Sequence, residues 1–534
     1  MTRLGPAVRS LRAHPGRLVA VLALVLLVLG LAMADALLAE PLRRAAERKI
    51  NARLDGYHVR IARARPHLEI LGLDLEGIVL VQASHPDPPV AEIGSLRFSL
   101  DGRSLLRLRL AGSLTFLRPS LHINLPQIQA QVGRKRSLRE QGWQRAVEGV
   151  YPFRLNRVEI QDGDLRYLAD ATAARPLELT GIRMVAGNVR NIASARGTFP
   201  SPLGWEARVF GAGTVRFRGE ADFLREPHAA VRGEIHLAGV PLDRLAPLAV
   251  DASLRMTGGL LSADGTLEAG PEGRSAHLRE VRLDGLNLDY VTRASTQAEE
   301  AARGREALRL AKAAHREPGL RLRMDALRVV NSQLGFVNAS AKPPYRLFLS
   351  DASLDLRNLS NLDDPEGVRF QMKGAFMGAG SLSAEGRARP YASPADFSGR
   401  LTLRELPLPR LNDLCLSAAG VDFAGGALDV YGELAVKNGR VEGYLKPLAR
   451  DVRISDPRKD RGRSWGKRVE LGALQVLAGL FKNARTQRIA TETRISGRTG
   501  DPRFDGWQAI RKLLVNGLLE PIRPGFANRR TQGR

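Results

Sequence analysis

The chain has 534 residues, more than one hydrophobic core usually serves, so several β modules or one elongated array is expected. Apolar residues make up 44%, an ordinary share for a folded chain and too high for global disorder. The 81 Lys and Arg against 56 Asp and Glu leave a formal charge of +25, which favours anionic partners: a membrane surface, a glycolipid or nucleic acid.

The N-terminus narrows that choice. Residues 1–17 carry Arg3, Arg9, Arg12 and Arg17 and no acid, the charged region that precedes an export signal. Residues 18–39 then form a 22-residue apolar stretch with the single charge Asp35. About 20 such residues cross a bilayer, so this segment is expected to be a transmembrane anchor with residues 1–17 in the cytoplasm. The rival reading is a cleaved signal peptide ending at Ala32-Met33-Ala34, which has the small-x-small form of a cleavage site. Under either reading the remainder is exported. The helical pattern runs on through Leu42, Ala46, Ile50 and Leu54.

Residues 40–133 read as an N-terminal β segment, 134–293 as β module 1 and 318–445 as β module 2. Apolar and polar residues alternate with period two in Ser95–Leu100, Leu106–Leu110, Ser120–Leu125, Thr214–Phe223, Gly233–Gly239, Leu320–Val330 and Arg400–Leu406. Helical signals are few. A capping box at Ser137 and Glu140 precedes Trp143, Val147 and Val150, and residues 294–317 read as a charged connector helix stopped by Pro318.

The two modules read as copies of one unit. RVEIQDGDLRY (Arg157–Tyr167) matches LRVVNSQLGF (Leu327–Phe336), and GAGTVRFRG (Gly211–Gly219) matches GAGSLSAEG (Gly378–Gly386). Ala229–Leu245 matches Ala395–Leu411, and Thr257–Ala269 matches Ala424–Val436. These four matches keep their order at offsets of 166 to 170 residues. Glycines and prolines recur because tight turns need them, while strand residues drift within the apolar class. Stacked modules of this kind make a quasi-one-dimensional architecture.

Residues 446–534 form a basic C-terminal region. From residue 437 onward there are 23 Lys and Arg against 9 Asp and Glu. Arg450, Arg453, Arg458, Lys459, Arg461, Arg463, Lys467 and Arg468 are expected in a basic loop, followed by amphipathic helices around Leu471–Phe481 and Trp507–Leu518. A basic loop beside apolar helix faces suits anionic lipid headgroups, and the same run read plainly is a solvated face. Export and the lack of interleaved aromatics argue against nucleic acid.

Catalytic motifs are absent from the sequence: it has no Gly-x-Ser-x-Gly elbow, His-Glu-x-x-His pair or Walker loop. Gly211-Ala-Gly213 and Gly378-Ala-Gly380 lack the third glycine of a dinucleotide loop and are expected in turns. Cys415 is the one cysteine, which excludes an intrachain disulfide and a Cys-based metal site. No enzyme activity, cofactor or metal is expected.

The anchor followed by NARLDGYHVRI (Asn51–Ile61) resembles the start of AsmA-like bacterial envelope proteins, in their branch with an uncharacterised repeated domain. HPDPPV (His85–Val90), the GAG-containing modules, KPPYRLFLSDASLDLRNLS (Lys342–Ser360) and RIATETRISGRTGDPRFDGWQAIRKLL (Arg488–Leu514) are similar to that branch too. The resemblance implies a mainly β protein with an N-terminal transmembrane helix and an elongated, curled or stacked β-sheet array with few connecting helices. It further implies an inner-membrane, single-pass protein with its bulk in the periplasm, related to bridge-like lipid-transfer proteins. Lipid handling or transfer between membranes, in support of outer-membrane integrity, follows as the expected function, with phospholipid or another anionic envelope lipid as partner.

Alternating strands put one apolar face on a sheet, and that face is buried in a closed core or lines an open groove. Val215, Phe217, Ile235, Leu237, Leu401 and Leu403 are the candidate groove residues. The alternative to lipid transfer is a scaffold in envelope or outer-membrane-protein biogenesis, with a closed core and envelope or outer-membrane proteins as partners.

Overall fold

A computed structural model describes residues 37–52, 54, 56–67, 72–83, 86–100, 111–124, 154–168, 176–189, 199–223, 225, 229–249, 254–292, 319–389, 396–454, 488–490 and 493–498. The described residues are mainly strand, with few helices. Most of the expected anchor, the capping-box segment, the connector helix and both C-terminal amphipathic helices lie outside them. Among the described residues no helix is long and apolar enough to cross a membrane.

The chain divides into two compact units. The first comprises Met1–Ile235 with Glu268–Pro271. It opens with helix α1 (37–51), then strands β1 (Tyr57–His67), β2 (Gly72–Gln82), β3 (Ala91–Leu100) and β4 (Ala111–Asn124) pair antiparallel in succession. Strand β5 (Arg154–Leu168) joins β4 in parallel, which requires a long connection, here residues 125–153. β6 (Leu177–Val189), β7 (Ser201–Val209) and β8 (Gly213–Asp222) resume the antiparallel meander. β9 (Ala230–Pro241) follows in the chain.

Asn51 ties α1 to the sheet. Its side-chain amide donates to the Val59 carbonyl at 2.9 Å, and its oxygen accepts from the Val59 N–H at 2.7 Å. Val59, Ile61, Ala64, Leu75 and Ile78 form a buried cluster against which Ala46 and Leu54 pack. The helix therefore covers one end of the sheet's apolar face.

The second unit comprises His236–Leu267 with Glu272–Arg534. Its elements include helix α2 (Leu242–Ala249), β10 (Leu254–Thr257), β11 (Leu260–Gly270), β12 (Gly273–Asp284), β13 (Asn287–Thr292) and the 19-residue β14 (Leu320–Asn338). β12 and β13 lie end to end along β14, both parallel to it, and β10 pairs with β13. From β14 onward the order is antiparallel: β15 (Tyr345–Ser360), β16 (Val368–Phe376), β17 (Gly380–Arg389), β18 (Asp396–Pro407), β19 (Phe423–Lys437) and β20 (Arg440–Ile454). Short strands β21 (Arg488–Ala490) and β22 (Thr493–Arg498) add to β20.

A 3₁₀ turn (Leu408–Leu411) and helix α3 (Asn412–Ala419) interrupt the sheet between β18 and β19. Gly420 ends α3 in the left-handed conformation, at φ 68°. Asn412 brackets the Phe423 backbone with two hydrogen bonds of 2.9 and 3.0 Å, as Asn51 brackets Val59. Leu408, Leu411, Leu414 and Cys415 from this insertion pack on Leu403, Leu406, Leu428 and Val430 of the sheet, with Tyr345 and Phe423.

The two matched segments contain the same elements in the same order. β5 to β9 and α2 of the earlier segment correspond to β14 to β18 and the 3₁₀–α3 insertion of the later one. Left-handed residues recur at matched places: Asp162 and Asn331, Gly181 and Asp351, Asn188 and Asn358, Phe210 and Met377, Gly211 and Gly378, Gly239 and Glu405. The β5–β6 ladder slips between Ile160, Gly163 and Leu165, and the β14–β15 ladder slips between Val329, Ser332 and Leu334, the same three places 169 residues on. In each GAG only the first glycine sits in the turn; Gly213 and Gly380 open strands β8 and β17.

Candidate apolar sheet faces and basic surface

Directly opposed residues on neighbouring strands share a face, so register alone traces the apolar surface. In the first unit one row runs through Ala64, Leu75, Leu96, Phe116, Ile160, Met184, Trp205 and Phe217, one residue from each of β1 to β8. The row beside it runs through Pro66, Leu73, Phe98, Leu114, Val158, Ala186, Leu203 and Gly219. No polar side chain interrupts either row.

Cover is uneven along these rows. Ala64, Leu75 and Phe217 are buried, at 2%, 7% and 4% exposure. Leu96, Phe116, Ile160, Met184 and Trp205 between them are only half-buried. A closed two-layer core would bury such large side chains, so this stretch is an apolar surface with partial cover.

The second unit repeats the arrangement. Leu283, Val329, Leu354, Met372, Ala384, Leu401, Gly432 and Leu445 form one row across β12 and β14 to β20. The next row is Val281, Leu327, Leu356, Phe370, Gly386, Gly399, Leu434 and Gly443. Leu327, Leu356, Phe370 and Leu434 are half-buried, whereas the residues under α3 are closed over. Glycine is required where rings lie across the neighbouring strand. A Cβ on Gly386 would stand 2.6 Å from the Phe370 ring and 2.3 Å from the Ser398 carbonyl oxygen. Phe370 stacks on Phe397 at 6.0 Å, and Trp205 on Phe217 at 6.2 Å.

The six candidate groove residues fall into two groups. Val215, Phe217 and Leu403 are buried, Leu403 beneath the α3 insertion. Ile235, Leu237 and Leu401 are half-buried, with Leu401 at the margin of that closed core. The wider rows through Met184 and Leu356 were not singled out in the sequence, because which residues stand opposite depends on register.

In each unit the opposite face is polar and laced with ion pairs: Arg97 with Asp74 at 3.1 Å in the first, and Arg328 with Glu280 and Arg400 with Glu433, both at 2.9 Å, in the second. The expected basic loop begins as strand: Lys446–Ile454 continue β20, with Leu448, Ala449 and Pro447 opposite Asp429, Leu428 and Val430. Arg density masked the alternation there. Arg450 is engaged by Asp429 at 3.1 Å, and Arg453 is exposed. Arg458, Lys459, Arg461, Arg463, Lys467 and Arg468 lie outside the described residues. Burial, followed by the nearby Asp422 carboxylate, pushes the Cys415 thiol up to about 12. Among the described residues no group of His, Cys, Asp and Glu is placed to hold a metal ion.

No family model matches the chain, and no curated protein matches it.

Proposed function

We propose that the chain is an inner-membrane-anchored periplasmic protein of AsmA-like type that handles lipid, receiving acyl chains on its half-covered apolar sheet faces. The observation that carries this reading is the uninterrupted apolar row of the first unit, whose large central residues Leu96, Phe116, Ile160, Met184 and Trp205 are only half-buried. Apolar area of this extent is rare on a soluble surface unless something covers it. An acyl chain suits the surface because it is long, apolar and indifferent to side-chain detail. The apolar stretch at residues 18–39 supports a location beside a bilayer, and the +25 charge supports anionic lipid as the partner. Movement of that lipid between membranes, in support of outer-membrane integrity, is the process this design serves.

The closed core beneath α3 favours a second reading, a scaffold in envelope or outer-membrane-protein biogenesis that carries no lipid. Gentle detergent extraction of the full chain, followed by lipid mass spectrometry, separates the two. Stoichiometric phospholipid in the wild type is the expected result; a lipid-free, folded protein leaves the scaffold.

A further inference from the structure

The polar face of the second unit carries an arrangement that an acyl-chain surface does not explain. Arg357 on β15 stands directly opposite Arg369 on β16, and Arg369 directly opposite Arg387 on β17. Ser398 on β18 continues the row. Such opposed side chains are about 4.5–5.5 Å apart at Cβ, and like charges so placed destabilise a sheet. Neighbouring acids offset this only in part. Arg357 is held by Asp355 at 2.7 Å, and that carboxylate also faces Arg328 at 3.5 Å. Arg369 meets Glu366 at 3.5 Å, and Arg387 donates to the Pro365 carbonyl at 2.6 Å. In the adjoining row Glu433 is taken by Arg400 at 2.9 Å and Glu385 flanks the row from β17, while Glu442 closes the arginine row itself beyond Ser398 and Ala435. Arg357 and Arg369 keep 59% and 66% of their side-chain surface exposed. All three arginines line one trough of about 820 Å³, floored in part by the backbone of Gly386 and Gly399.

We propose that this row binds a phosphate-bearing ligand. Each guanidinium presents five N–H donors in a planar fork, and the contacts above use one or two of them. A tetrahedral, multiply charged phosphate offers oxygens to forks from three adjacent strands, whereas a flat carboxylate serves fewer. The Ser398 hydroxyl supplies a further donor beside Arg387 in the row. A phospholipid headgroup and a free phosphorylated small molecule share this chemistry. The inference is independent of the acyl-chain reading, because the row stands on the opposite sheet face.

The test uses the full chain in a phosphate-free detergent, titrated with inorganic phosphate and, in parallel, with a short-chain phosphatidate. Calorimetric binding and thermal midpoints are read against chloride at matched ionic strength. Wild type is expected to bind at least one of the two and to gain stability beyond the chloride control. Binding of phosphatidate alone identifies a lipid headgroup, and equal binding of both identifies the phosphate itself. Arg369→Gln, at an exposed site, is expected to raise the unliganded midpoint and to weaken binding about tenfold or more. Arg369→Lys keeps the charge but loses the fork, and falls between. Met184→Glu, on the apolar face of the first unit, keeps wild-type phosphate binding, which separates this site from that face. No shift beyond chloride in the wild type, or wild-type affinity in Arg369→Gln, overturns the proposal.

Discussion

Met184 and Leu403 are apolar strand residues of the same alternating type in different surroundings. Leu403 is 5% exposed beneath the α3 insertion, and Met184 is half-buried between Ile160 and Trp205. Leu403→Asp should cost about 3 kcal/mol or more and unfold its unit, since an unpaired carboxylate would sit in a closed core. Met184→Glu should keep the β-sheet signal in far-UV circular dichroism and lose bound lipid, because the side chain reaches solvent when no lipid covers it. Unfolding of both variants would mean that the first unit's face is a closed core as well. Cys415 supplies a second residue-level test. Its buried thiol is held protonated up to about 12, so iodoacetamide at about pH 8 should modify it only in denaturant. The sign of the linkage follows: stability from keeping the thiol protonated is fully present below the ordinary thiol pKa. It is lost as pH rises from there towards 12.

At the scale of the element, the matched left-handed positions give a reciprocal prediction. Gly239 in β9 has φ 62° with nothing within 4 Å of a built Cβ, while its counterpart Glu405 in β18 holds φ 56°. Gly239→Ala should therefore destabilise by about 1 kcal/mol through backbone strain alone, despite the open space. Glu405→Gly should stabilise by about 0.5 kcal/mol, the relief of strain exceeding the added flexibility of the unfolded chain. Thermal midpoints of the two variants check both signs. These positions matter because each bulge re-aims the strand beyond it while keeping apolar residues on one face. At Ser332 the ladder slips, yet Val329 and Leu334 still pair with Leu354 and Leu349.

For the whole molecule, the proposed envelope location turns on which side of a membrane the sheets occupy. In a Cys415→Ala background, Lys373→Cys on the exposed face of β16 should react with a membrane-impermeant maleimide applied from the periplasmic side. Arg9→Cys should react only after the inner membrane is opened. The reverse pattern would overturn the envelope location and the lipid-handling reading together.

Period-two alternation was legible because a strand's side chains alternate whatever surrounds it, and Ser95–Leu100, Thr214–Phe223 and Arg400–Leu406 all fall on strands or their immediate ends. The recurring glycines of the two matched segments were legible for a similar reason: turns and left-handed bulges constrain residue type locally. What alternation cannot encode is partnership across strands. The parallel joins β4 to β5 and β12–β13 to β14, the strand character of Lys446–Ile454, and the Arg357–Arg369–Arg387 row all depend on register between segments distant in sequence. Cover is likewise tertiary. Leu401 and Leu403 read alike in the chain, and only the folding of Leu408–Ala419 back onto the sheet closes one over and leaves the other at the margin. The sequence by itself determined that one face of each strand is apolar; the packing of α1 and α3 decided how much of that face is covered, because burial depends on what lies opposite.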